Sequence, residues 1–269
     1  MKIGIGLPNQ VRGVDAAILP GWAAQAEEAG FASLATVGRI AYPGVMDTIA
    51  LVAAAATTTT IGLISAIAVG PACPAVLLAK EAANIDAVSG GRLTLGIGLG
   101  AWPDDYVAEG RPRKNMGPRL EDDIRIYREI WGGAAVGSGT YPAVPGNTRE
   151  VPVLLGGGVE ATYERVARLV DGYIAGGIPA PMVAPSFDAV RAGWKDAGRA
   201  GSPRLVAVAY YTIGDIDKGR ANVWDYYSSG GEQFAGLMTE SISHGADGVK
   251  ATMAAFEEIG ADELIFTRR

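Results

Sequence analysis

The stretch 89–100, SGGRLTLGIGLG, carries three glycines at alternate positions behind a short apolar run. A dinucleotide-binding turn needs Gly-x-Gly-x-x-Gly opening directly into a helix, so that a pyrophosphate can lie against the helix amino end. Here the spacing is Gly96-x-Gly98-x-Gly100, AWPDD follows, and no helical period resumes before about residue 118. Side chains alternate across a strand, so glycine at every second position clears one face of it. Two uses of that cleared face stay open at this point: relief of crowding inside a barrel, or room for a flat ligand against the backbone.

Outward from this strand, short Ile-, Val- and Leu-rich runs alternate with alanine-rich segments of helical period, the pattern of parallel strands joined by helical crossovers. Strands are expected over 2–7, 33–37, 60–69, 92–99, 151–155, 171–175, 204–212 and 263–267. Helices are expected over 20–29, 46–57, 74–88, 119–131, 160–169, 185–197, 217–228 and 246–259. Pro20, Pro74 and Pro185 sit where a missing N–H costs nothing, and Gly30, Gly90, Gly132 and Gly260 close helices. Eight such alternations match an α/β (β/α)8 TIM barrel filling one domain over 1–269, although counting strands leaves a doubly wound sheet possible. The interval 132–150, GGAAVGSGTYPAVPGNTRE, has no period and reads as a long surface excursion between strands four and five.

Composition narrows the function. With 49% hydrophobic and only 19% charged residues, a net charge of -6 and a pI near 4.9, the chain has no basic field for nucleic acid. The longest low-charge segment, 49–80, is broken by Thr57 to Thr60, Gly62, Gly70, Pro71 and Pro74, which argues against a membrane span. The expectation is a soluble, cytoplasmic protein acting on a small molecule. One cysteine, Cys73, excludes an internal disulfide framework and a cysteine-rich zinc site, and one histidine, His244, removes most histidine catalysis and metal ligation. Cys73 reads as a structural thiol, and His244 as a surface residue.

A second glycine run, VLLGGGVEA at 153–161, is a strand, three glycines and a helix start. Unpaired N–H groups on flexible backbone make an anion site, phosphate above all, and three successive glycines exceed what a plain turn needs. Gly176 and Gly177 end the next strand and would lie beside it, since neighbouring loops on the carboxyl face of a barrel often build one phosphate site.

Taken in order, IGIGLPNQ, AEEAGFASL, PAVLLAKEAANIDAVSGGRLTLGIGLG, RLEDDIRIYREIW, VPVLLGGGVEATYERVARLVDGYIAGG and VKATMAAFEEIGADELIF resemble the bacterial-luciferase-like superfamily of flavin and deazaflavin oxidoreductases over nearly the whole chain. The resemblance implies a (β/α)8 barrel whose carboxyl face holds FMN or, alternatively, the deazaflavin coenzyme F-420, and a homodimer. It implies cofactor contacts at Gly6, Ile64, Ser65, Gly98, Gly156, Gly157, Gly158, Gly176 and Gly177, with a cis peptide expected at Ile64-Ser65. With one cysteine and one histidine, no metal site is expected.

Departures from the family pattern matter as much. Arg39 stands where many members carry a histidine, and Ala101 where the sugar-phosphate dehydrogenase branch has a glutamate. The sequence stops at Arg269, directly after strand eight, so the closing helix of many relatives is expected to be missing. The acid and base of that branch are therefore not expected, and a catalytically silent flavin binder is the rival reading. Asn9, Arg39 and Trp102 are the substrate-side candidates, with Tyr42 and Ser65 behind them. Arg39 has three readings: holding an anionic substrate, stabilising charge on a reduced ring, or pairing at the surface with a residue such as Asp47. Asp104 and Asp105 read as a solvated helix cap.

Overall fold

The apolar runs form ten strands and the alanine-rich segments ten helices in a computed structural model that describes residues 1–268. In chain order they are β1 (Lys2–Gly6), α1 (Leu19–Glu28), β2 (Ser33–Thr36), α2 (Asp47–Thr57), β3 (Gly62–Ser65), β4 (Ala68–Val69), α3 (Ala75–Ser89), β5 (Leu93–Gly98), α4 (Pro103–Ala108) and α5 (Met116–Trp131). There follow β6 (Val153–Gly156), α6 (Glu160–Leu169), β7 (Gly172–Ala175), α7 (Ala180–Asp196), β8 (Arg204–Thr212), α8 (Ile216–Tyr227), α9 (Glu232–Glu240), β9 (Ser243–His244), α10 (Gly245–Glu258) and β10 (Glu263–Thr267).

Closure is settled by the pairing. The order β10-β1-β2-β3-β5-β6-β7-β8 is parallel throughout, and β10 pairs back onto β8 from Glu263↔Val206 to Thr267↔Tyr210. The doubly wound alternative is thereby excluded, and the eight expected strands are the eight staves of a closed barrel.

The core has two layers because a barrel strand alternates between its inside and its helix-facing outside. Ala35, Ile64, Leu154, Ile174, Val206, Val208 and Ile265 fill the interior. The larger outer core packs helices on strands, and its alanines do much of that work: Ala50, Ala54 and Ala55 of α2 with Ala79, Ala82 and Ala83 of α3 let these helices approach closely. The amino end of the barrel is plugged by polar groups. Glu263 accepts from Arg204 Nη2 at 2.7 Å and from the Ser33 hydroxyl, while Arg204 Nη1 donates to Thr94 Oγ1 at 2.9 Å.

Four expectations are corrected. The strand over 60–69 is two strands, β3 and β4, interrupted at Ala66-Ile67, where the backbone leaves its ladder with β5. Pro185 does not open α7, which begins a turn earlier at Ala180 with Pro181 in its first turn; a proline one turn inside removes a single intrahelical bond. The segment after strand four is not wholly irregular, since α4 occupies Pro103–Ala108, too short for its period to show. Finally, α8 is followed by a second helix, α9, that periodicity did not reveal; the two pack together between β8 and α10. The 132–150 excursion is largely exposed, as expected, and is fastened at its end where Arg149 grips Asp86 bidentately at 2.8 Å and 2.8 Å. No helix follows β10 among the described residues; Arg269 lies outside them. None of the described helices is long and apolar enough to cross a membrane.

Candidate active site

Every loop that runs from the carboxyl end of a barrel strand converges on one mouth, and these loops carry nearly all the candidate residues. Arg39 leaves β2, Trp102 and Asp105 follow β5, and Tyr226 ends α8 above β8. Arg39 is only 5% exposed. Its Nε donates to Asp105 Oδ2 at 2.7 Å, and Asp105, fully buried, takes Ile40 N–H and Ala41 N–H on Oδ1, both at 2.8 Å. The Arg39 guanidinium carbon lies 5.2 Å from the Trp102 ring, 5.3 Å from Tyr42 and 5.5 Å from Tyr226. These rings meet edge to face, Tyr42 on Tyr226 at 5.1 Å and Trp102 on Tyr226 at 5.8 Å, so they enclose the cation as a rigid wall.

Two sequence readings change here. Asp105 is not a solvated cap but the partner of Arg39, and the surface pairing of Arg39 with Asp47 does not occur. Asp47 is buried, its Oδ2 has no hydrogen-bond partner, and burial raises its carboxyl to about 6. It faces a small cavity of about 20 Å³ with Cys73 and Glu81, and burial beside these carboxyls pushes the Cys73 thiol up to about 12. A thiol so held is protonated at neutral pH and is no nucleophile, in keeping with the structural role expected for it.

Asn9, expected to face substrate, is a staple instead. Its amide donates to Val37 O at 2.9 Å and Val45 O at 3.0 Å and accepts from Val37 N at 3.1 Å, tying the first loop to the second. Ser65 is likewise engaged, donating to Gly96 O at 2.7 Å, and Ile64 is sealed in the interior. The cis bond is not at Ile64-Ser65 but at Ala66-Ile67, at the break between β3 and β4. The expected position is two residues too early, because the sequence gives no mark of where the strand breaks. His244 is exposed and lies at the start of α10, with Nε2 3.2 Å from Gly214 O.

The glycines divide into two kinds. A Cβ at Gly96 would collide with Ser65 O, one at Gly98 with Ile67 Cδ1, and one at Gly156 would come within 3.2 Å of Ile67 Cγ2. The face cleared in SGGRLTLGIGLG is thus filled by the chain's own Ser65–Ile67 segment. Gly6 makes way for Thr267, Gly157 for Thr162 and Gly177 for Tyr210 in the same manner. Gly158 and Gly176 are different, since a Cβ at either meets nothing within 4 Å. Each sits just before a helix whose N-cap residue, Val159 or Pro179, makes no side-chain cap bond. Neighbouring strands β6 and β7 bring these two open, uncapped helix starts together, with Tyr173 steadying the first loop through its hydroxyl on Gly157 O at 2.9 Å. Amides on side-chain-free backbone suit a phosphate without any lysine or arginine, and α6 is the donor-rich start, since at α7 Pro179 and Pro181 have no N–H and Ile178 and Met182 already donate to Gly176 O and Pro179 O.

A cap covers the mouth. Arg12 from the first loop pairs with Asp225 of α8 at 2.5 Å, and Tyr42 donates to the same carboxylate at 3.0 Å. Sequence reasoning missed this cap and the partnership of Asp105. The signal for Asp105 was the acidic pair in WPDDY, but nothing local says that one of the two is buried.

Comparison with known proteins agrees with this fold. The family model for luciferase-like monooxygenases matches residues 1–263. An uncharacterized protein of Mycobacterium tuberculosis is 33% identical over 114 residues, 40% of this chain; the matched region spans only 39% of that relative's length. Among solved structures, the FMN complex of the oxygenating constituent of 3,6-diketocamphane monooxygenase from Pseudomonas putida superimposes with a TM-score of 0.78 at 16% identity, covering 99% of this chain and 91% of that one. An F420-dependent secondary alcohol dehydrogenase in complex with an F420-acetone adduct gives 0.77 at 15%, covering 99% and 92%. At such identities these two likenesses speak for the fold alone. The family match over residues 1–263 places the chain in the luciferase-like monooxygenase family.

Proposed function

We propose that the protein is an oxidoreductase that binds FMN or the deazaflavin coenzyme F-420 at the carboxyl mouth and acts on a small organic substrate. The observation that carries this reading is the uncapped start of α6 at Gly158, with the side-chain-free turn at Gly176 beside it on the neighbouring strand, which leaves backbone amides of α6 open for a phosphate where this family's barrel has its mouth. Gly156, Gly157, Gly158 and Gly176 would hold the phosphate, and the Ala66-Ile67 segment would back the ring. Bound there, the cofactor supplies hydride or electron transfer, chemistry that belongs to the ring and needs no catalytic histidine.

The chain's own residues then do three things. Trp102, Tyr42 and Tyr226 wall the mouth with apolar surface. The α8–α9 cap, latched by Arg12 and Tyr42 on Asp225, keeps water out. Arg39 presents a fixed positive charge beside the reacting region, held in place by Asp105. The homodimer expected from the resemblance is part of the same proposal, since Ile49 and Val52 on α2 and Leu77 on α3 are exposed apolar side chains of the kind an interface covers.

Turnover tests the proposal against a silent binder. Reduced FMN and reduced F-420 are mixed with the protein and offered oxygen, then a panel of ketones, enones and imines. Protein-dependent oxidation of one reduced cofactor supports the reading; binding with no oxidation in any combination overturns it.

A further inference from the structure

The Arg39 guanidinium is ringed by aromatic side chains and held at Nε. Trp102, Tyr42 and Tyr226 surround it, and Nε is held by Asp105. Its amino nitrogens, Nη1 and Nη2, have no hydrogen-bond partner among the described residues, yet neither is among the fully sealed, unpartnered polar atoms. A guanidinium never loses its charge, and its amino edge presents parallel N–H donors at the spacing of a carboxylate. Burying such donors unused costs free energy, whereas a ligand oxyanion would satisfy them. The orienting partner is itself fixed, because Asp105 takes two backbone N–H groups on Oδ1 and holds Arg39 by Nε on Oδ2, leaving the amino edge unbonded.

We propose that this amino edge is the substrate-recognition site, and that the substrates are carboxylates carried on a flat, apolar body. The carboxylate pairs bidentately with Nη1 and Nη2 of Arg39, and the body lies against Trp102 and Tyr42 at the mouth. This deepens the oxidoreductase reading and rests on it for the reaction, though the binding site itself does not need the cofactor. An anion is preferred over a neutral carbonyl because the two unbonded amino nitrogens match both oxygens of one carboxylate, even with Asp105 offsetting part of the guanidinium charge. Asp105 lowers the net charge of the site but sits on the opposite edge, where it orients rather than competes.

Benzoate and its uncharged isostere benzamide are the probes, titrated calorimetrically into the full chain with and without FMN or F-420. The expected result is benzoate binding at least tenfold tighter than benzamide, with that preference lost in Arg39→Gln and mostly lost in Arg39→Lys, which keeps the charge but not the fork. Circular dichroism shows that each variant is folded, and the wild-type comparison stands even if neither variant folds. Equal affinity for the two probes, or an undiminished benzoate preference in folded Arg39→Gln, overturns the inference. The cofactor arms separate the two claims: cofactor binding without a benzoate preference removes this inference alone, whereas a benzoate preference without cofactor binding removes the oxidoreductase reading and leaves the anion site.

Discussion

Replacing Asp105 with Asn is the sharpest perturbation of the site, because it removes one charge and almost no volume. Asparagine keeps an oxygen for Ile40 N–H and Ala41 N–H, so the two 2.8 Å bonds survive, but the 2.7 Å acceptor of Arg39 Nε becomes an uncharged NH2, a donor facing a donor. Removing one member of a buried pair costs about 3–5 kcal/mol, since the other charge is left uncompensated. The three rings around Arg39 each return a fraction of that, which sets the expectation at the lower end, about 3 kcal/mol. In a chain of this size that is a fall of about 6–12 °C in melting temperature. Arg39→Met, which strands the carboxylate instead, should cost a similar amount. The double variant removes both charges and keeps the two backbone bonds, so it should lose only about 2 kcal/mol, against about 6 if the two changes were independent. Urea unfolding of the four proteins at constant m-value reads the cycle. Costs that add to within about 0.5 kcal/mol would refute the pairing of Arg39 with Asp105 as the element that holds the site.

Further outcomes follow from the same coordinates. Gly98→Ala should destabilise by about 1–3 kcal/mol by driving a methyl into Ile67 Cδ1; adding Ile67→Ala should recover part of that loss in the same unfolding assay, and no recovery would mean that Gly98 is constrained by something else. A Cβ at Gly158 meets no atom within 4 Å and the position is exposed, so Gly158→Asp should change stability by less than about 0.5 kcal/mol, while the Kd for the phosphate-bearing cofactor rises at least about tenfold through charge repulsion; unchanged affinity would remove the phosphate from this loop. Glu27 accepts N–H groups of Thr59, Thr60 and Ile61, which hold its carboxyl down at about 2 from an ordinary 4.5. A depressed acid stabilises above its unfolded value, so Glu27→Gln should cost about 1 kcal/mol at pH 7 once exposure to solvent is allowed for. Mutant and wild type should converge as pH falls from 4.5 towards 2, and a constant gap across that range would contradict the assignment.

Strand count, helix count and glycine-marked helix ends were legible because each rests on a local period or a local φ requirement. Gly90, for instance, ends α3 at φ 71°, a value that glycine adopts without strain. Closure of the barrel was legible only as a size match, since the β10–β8 ladder joins residues some sixty apart and leaves no local trace. The same limit explains the site. Gly156–Gly158 announced itself by three glycines in a row, but Asp105 could not be distinguished from Asp104 by any neighbour, and only the fold shows that one is fully buried against Arg39. Asn9 sat at the right strand end yet spends all its hydrogen bonds on Val37 and Val45, a fate set by a loop about thirty residues away. SGGRLTLGIGLG was read correctly as a strand with a cleared face. What fills that face, the Ser65–Ile67 segment, depends on a strand break that the sequence does not mark.

The central claim, that the carboxyl mouth is a flavin or deazaflavin site, is tested most directly by titrating the purified protein with FMN and with coenzyme F-420 and following the absorbance and fluorescence of each. Submicromolar binding of one of the two is the predicted result; binding of neither at tens of micromolar would contradict the account.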